Sequence, residues 1–102
     1  MDIVNEYLKN NRIEKHSWLT KKLECNDGFK MSVQASEFHY CSPRINTDWY
    51  YEFEVGFPTE KEDLLMQYAD DYDNPTDTVY GYVPIEVIEE IITKHGGIKN
   101  DH

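Results

Sequence analysis

A chain of 102 residues with 14% aromatic side chains has the length of one domain and a composition far from that of disordered proteins. Its formal net charge is −10, and it is placed unevenly: residues 1–30 carry six cationic against five acidic side chains, whereas residues 31–102 carry four against fifteen. Such a chain is repelled by nucleic acid and by anionic membranes, so neither is expected as a direct partner, and a macromolecular partner is expected to present a basic surface.

In chain order, "DIVNEYLKN" predicts a short helix within residues 1–11. Ile3, Val4, Tyr7 and Leu8 share one face, and Asp2 is placed to cap the N-terminus. "RIEKHSWLTKKLEC" suits a helix or a strand by its leucines. The following Asp27-Gly28 decides for a strand over about Trp18–Cys25 and for a two-residue hairpin turn with both central φ angles positive. Phe29, Met31, Val33 and Ala35 then alternate with polar residues, as in a strand with one buried face. Tyr40–Asp48 is a loop with a turn at Ser42-Pro43. Trp49, Tyr51, Phe53, Val55 and Phe57 give the cleanest alternation in the chain, and predict a third strand over Trp49–Phe57.

"TEKEDLLMQYA" predicts a helix started by a Thr59/Glu62 capping box. "DDYDNPTD" is an acidic, turn-rich connection. "TVYGYV" predicts a fourth strand, with Val79, Gly81 and Val83 on one face and Tyr80 and Tyr82 on the other; its return through a helix leaves parallel pairing open. "PIEVIEEIITKHGG" predicts the last helix, with Pro84 at its first position, a face of Ile85, Ile88, Ile91 and Ile92, and Gly96 as a left-handed C-cap. Lys94 and His95 suit the negative end of the helix dipole. The tail, residues 99–102, is expected to fray. The sum is a single α+β domain over residues 1–102, in the order α-β-β-β-α-β-α, with an antiparallel sheet of three to four strands and helices packed on one face.

Two segments stand out as candidate sites. In "HYCSPRINTDW", His39, Tyr40, Arg44 and Trp49 could line a small-ligand site by stacking and phosphate contact; Arg44 is the only cation between Lys30 and Lys61. The plainer reading is that Arg44 pairs with Asp48 or a nearby Glu and pins the loop. Cys41 near His39 is a weak hint of a nucleophile, because small buried cysteines are usually inert. In the acidic connection, Asp70, Asp71, Asp73 and Asp77, with Tyr72 as an aromatic anchor, could dock on a basic surface; the plainer reading is a solvated loop. The segment is not a calcium loop, since it lacks the glycine at the turn and the closing glutamate. Four histidines without ligand spacing, and two cysteines without C-x-x-C spacing, predict no metal, cofactor or disulfide framework. The polar, acidic start and the lack of any long apolar run predict a cytoplasmic protein with reduced thiols.

The phrases "FKMSVQASEFHYCSPR", "EVGFP" and "DTVYGYVPIEVIEEIITKHGGI" resemble a group of small acidic proteins of bacteriophage and prophage genomes. The resemblance spans roughly Phe29 to Ile98 and carries no motif with an assigned role. It implies a non-enzymatic inhibitor of host defence, of the anti-CRISPR kind, that binds a basic surface of a host protein. The alternative is a sponge for nucleotide signals that uses the His39–Trp49 loop. The charge-balanced N-terminal third departs from the near-uniform acid coverage of a full DNA mimic, and favours contact through one acidic face.

Overall fold

The computed structural model describes residues 2–13 and 18–99. His16, His102 and the tail residues 100–102 lie outside them. Helix α1 is Ile3–Asn10, and the Asp2 carboxylate accepts from the Asn5 N–H at 2.8 Å, the expected cap. Strands β1 (Leu23–Glu24), β2 (Lys30–Gln34), β3 (Glu52–Gly56) and β4 (Val79–Pro84) form one sheet in chain order. Every pairing is antiparallel, including β3 with β4, so the parallel option for β4 falls. A 3₁₀ helix, Asp63–Tyr68, precedes β4, and helix α2 is Ile85–Lys94. The α+β order of the sequence reading holds.

β1 is shorter than predicted. Thr20 pairs instead with Arg12, whose guanidinium also donates to the Trp18 and Ala35 carbonyls. The turn after β1 is also different. The Gly28 N–H donates to the Cys25 carbonyl at 3.0 Å and Cys25 N–H to the Phe29 carbonyl, leaving a three-residue loop in which Gly28 alone has positive φ, +97°. This is a turn followed by a glycine bulge rather than the two-residue turn. The tail does not fray at once: Ile98 bridges Cys25, and the Lys99 N–H donates to the Glu24 carbonyl.

In β2, Phe29, Met31, Val33 and Ala35 are buried as read, but the alternation gives out at its end, where Gln34 and Ser36 on the other parity are buried too. In β3 the parity holds only for Phe53 and Val55; Trp49, Tyr51 and Phe57 are exposed and Tyr50 is buried. The cause is Asn5. Its side chain donates to the Tyr50 carbonyl at 2.9 Å and accepts from the Tyr50 N–H at 2.8 Å. The Tyr50 hydroxyl then donates to the Ile45 carbonyl and accepts from the Thr47 N–H, so this ring, and not its neighbours, closes the core.

The Thr59/Glu62 capping box does not form. Thr59, past the end of β3, pairs with the first residue of β2, its N–H donating to the Lys30 carbonyl and its Oγ1 accepting from the Lys30 N–H, both at 3.0 Å. Glu62 is itself the cap, accepting from the Leu64 N–H, and the segment is a 3₁₀ helix rather than the α-helix expected. In α2, Ile88, Ile91 and Ile92 are buried. Gly97 N–H donates to the Ile92 carbonyl and Gly96 N–H to that of Thr93, with φ of +89° at Gly96, which is a Schellman C-cap as the Gly96 signal implied. The core joins these residues to Val4, Leu8, Leu65, Tyr80 and Val83. No helix of the described residues is long and apolar enough to cross a membrane.

Candidate interaction face

The acidic connection is an ordered loop. Its ends are clamped where the Asp70 N–H donates to the Val79 carbonyl at 3.0 Å and the Asp71 N–H to Thr78 Oγ1 at 3.0 Å. The Tyr80 hydroxyl, on a ring buried in the core, donates to the Pro75 carbonyl and ties down the far side. Asp70, Asp71, Tyr72, Asp73 and Asp77 are all exposed, Tyr72 to 63%. None of the four carboxylates forms an ion pair among the described residues. They are not equivalent. Asp71 accepts from the Asp73 N–H and from Asn74 Nδ2, at 3.1 and 2.8 Å, and so builds the turn. Asp70, Asp73 and Asp77 have no such task among the described residues.

Beside this loop runs a shallow groove of about 310 Å³, lined by Tyr40, Tyr68, Ala69, Asp70, Val79, Gly81 and Tyr82. It joins the two segments that the sequence offered separately, because Tyr40 comes from the loop after β2 and Asp70 from the acidic loop. The junction is made by the Tyr82 N–H, which donates to the Tyr40 carbonyl at 3.0 Å. Gly81 lies against the same residue: a Cβ there would sit 3.4 Å from that of Tyr40, at the near edge of ordinary van der Waals contact. The close approach that a glycine inside a strand suggests is therefore real here.

The strand parity read for β4 fails at this point. β3 advances two residues between Phe53↔Val83 and Val55↔Tyr80, while β4 advances three. The extra residue is a bulge, so Tyr80 and Val83 both point inward and Tyr82 outward.

The other predicted ligand residues do not share this groove. Arg44 lies over the Tyr40 ring, 5.2 Å from its centroid; the Arg44–Asp48 ion pair is not formed. Trp49 sits against Tyr51, with ring centroids 5.8 Å apart. His39 Nδ1 and Ser36 Oγ share a hydrogen bond of 2.6 Å, and burial lowers the His39 pKa. Cys41 is buried and donates from Sγ to the Ser36 carbonyl; burial pushes its thiol up, which makes it a poor nucleophile. No cluster of metal-ligating side chains occurs among the described residues.

Sequence reasoning missed a charged knot under the β1–β2 turn. His95 Nδ1 lies 2.6 Å from Asp27 Oδ2 and Nε2 lies 2.7 Å from Glu62 Oε1, while Lys94 Nζ reaches Glu62 Oε2 at 2.9 Å. The imidazole stacks on Phe29 at 4.1 Å. The Glu62 side chain is only 1% exposed, and that of His95 7%. Burial opposes charge on both, but their hydrogen bonds outweigh it: those to Glu62 and Asp27 raise the His95 pKa, and those from Lys94, the Leu64 N–H and His95 lower that of Glu62. No local signal pointed to it, because Glu62 and His95 lie 33 residues apart and only the fold joins them.

No family model matches the chain, and neither a curated protein nor a solved structure matches it.

Proposed function

We propose that this chain is a non-enzymatic interaction protein, of the host-defence-inhibitor kind that its phage-like phrasing suggests, which binds a basic surface of a host protein and blocks it. One observation carries the reading: Asp70, Asp73 and Asp77 are presented, without internal ion pairs, on a loop that hydrogen bonds already hold in shape. An ordered loop loses little freedom on binding, so its charge is available for association. The exposed Tyr72 and the neighbouring tyrosine groove supply the aromatic anchors that interfaces favour. A nucleotide site built from His39, Tyr40, Arg44 and Trp49 has less support, because Trp49 is engaged with Tyr51 and the groove at Tyr40 opens towards Asp70.

The test is affinity capture from bacterial lysate, with wild type beside a variant carrying Asn at Asp70, Asp73 and Asp77. Asp71 is left in place because it builds the turn. The reading expects a partner that the wild type retains and the variant loses at equal thermal stability. Retention of the same partner by both proteins would contradict it.

A further inference from the structure

Tyr82 has φ of +54°, a left-handed conformation that is uncommon for a bulky side chain and is usually left to glycine or asparagine. Pairing of β4 with β3 does not require a tyrosine there. What the strained residue achieves is placement. It turns the Tyr82 ring outward beside Tyr40, with centroids 6.1 Å apart and the planes tilted by 41°. The Tyr40 backbone is held against β4 beneath them by the Tyr82 N–H, which donates to its carbonyl. The groove so formed has Tyr68, Ala69, Val79 and Asp70 among its walls. Its volume of about 310 Å³ is at the low end for small-molecule sites, and suits one long side chain better than a nucleotide.

We propose that this groove receives a single arginine side chain of the basic partner, with the guanidinium against the Tyr40 and Tyr82 rings and its N–H groups on Asp70. The inference rests on the interaction-protein reading and names what that partner must present. Charge complementarity selects a cation: the groove abuts the loop that carries Asp71, Asp73 and Asp77, in the part of the chain where acids outnumber bases by fifteen to four. The Arg44 guanidinium, 5.2 Å from the Tyr40 ring centroid, does not line the groove, so the incoming cation is met by Tyr82 and the groove-lining side of Tyr40. Arginine is preferred to lysine because its guanidinium is planar, weakly hydrated, stacks on aromatic faces and meets a carboxylate with two N–H groups.

The experiment measures binding of hexa-arginine and hexa-lysine peptides at one low ionic strength, by calorimetry, to three proteins: wild type, Tyr82→Gly, and a variant with Asn at Asp73 and Asp77. Wild type should bind hexa-arginine about fivefold or more tighter than hexa-lysine. Tyr82→Gly should lose that preference and keep the weaker binding common to both peptides. Its melting temperature should be no lower, because glycine is at ease at this φ. The Asp73/Asp77 variant should bind both peptides more weakly with the preference intact. Equal wild-type affinity for the two peptides, or a preference that survives in Tyr82→Gly, would overturn the arginine site and leave the acidic-face reading standing. Failure of both peptides to bind wild type would overturn both.

Discussion

His95 is within hydrogen-bond distance of two carboxylates at once, and only the protonated ring has an N–H for each. When it loses its proton, one of the two short contacts must open, and Asp27, whose side chain is half exposed, is the one free to leave. The sign of the pH effect follows. The folded-state pKa of His95 is raised by Glu62 and Asp27 against the opposing effect of burial, so its stabilisation is complete below about pH 6.5 and is lost as pH rises through the folded value. Glu62 is lowered, so its share is complete above about pH 4.3 and is lost as pH falls below that. His39, lowered by burial, acts in the opposite sense to His95, so the comparison must be made with a variant. From pH 6 to pH 9 the wild type should lose its stability advantage over His95→Gln, read as the difference in urea midpoint. A constant difference would refute the charged clasp. Glu62→Ala should cost about 2 kcal/mol or more in urea unfolding, because it leaves the buried His95 Nε2 without its partner and removes the cap on the Leu64 N–H; a loss under about 1 kcal/mol would show the knot to be dispensable. None of this was legible in the sequence. The Thr59-x-x-Glu62 spacing matched a local pattern, while the partners that claim Glu62 come from α2, and those that claim Thr59 come from β2.

At the scale of elements, the legible parts were those governed by local rules. Asp2 as a cap, the isoleucine face of α2 and the glycine stop at Gly96 each depend on a few neighbouring residues, and each is present as read. Gly96→Ala should cost about 1 kcal/mol, since φ of +89° strains any side chain, and urea unfolding would show it; an unchanged midpoint would mean that the cap is not anchored. Strand parity failed where a distant group overrode it. Asn5 turns Tyr50 inward at the start of β3, and the bulge at Gly81–Tyr82 reverses the faces of β4. Neither has a local signature beyond the glycine. The candidate sites were half legible for the same reason. Asp70 and Tyr40 could each be singled out in the sequence, but that they flank one groove depends on the bulge.

On the scale of the whole molecule, charge and shape divide the labour. The acidic loop gives range and direction, and its pull on a basic surface should weaken with salt, because exposed charges are screened within about 10 Å at 0.1 M. The groove gives local choice. Affinity for a captured partner should therefore fall steadily as salt is raised, and affinity that stays flat would remove the electrostatic part of the account. The location of the contact is the central claim, and amide hydrogen exchange of the protein, alone and with its captured partner, tests it most directly. The account predicts slowed exchange at Asp70–Asp77, around Tyr40 and at Tyr82, with little change at Lys21 and Lys22. Protection confined to Lys21 and Lys22, or to Trp49 and Tyr51, would contradict it.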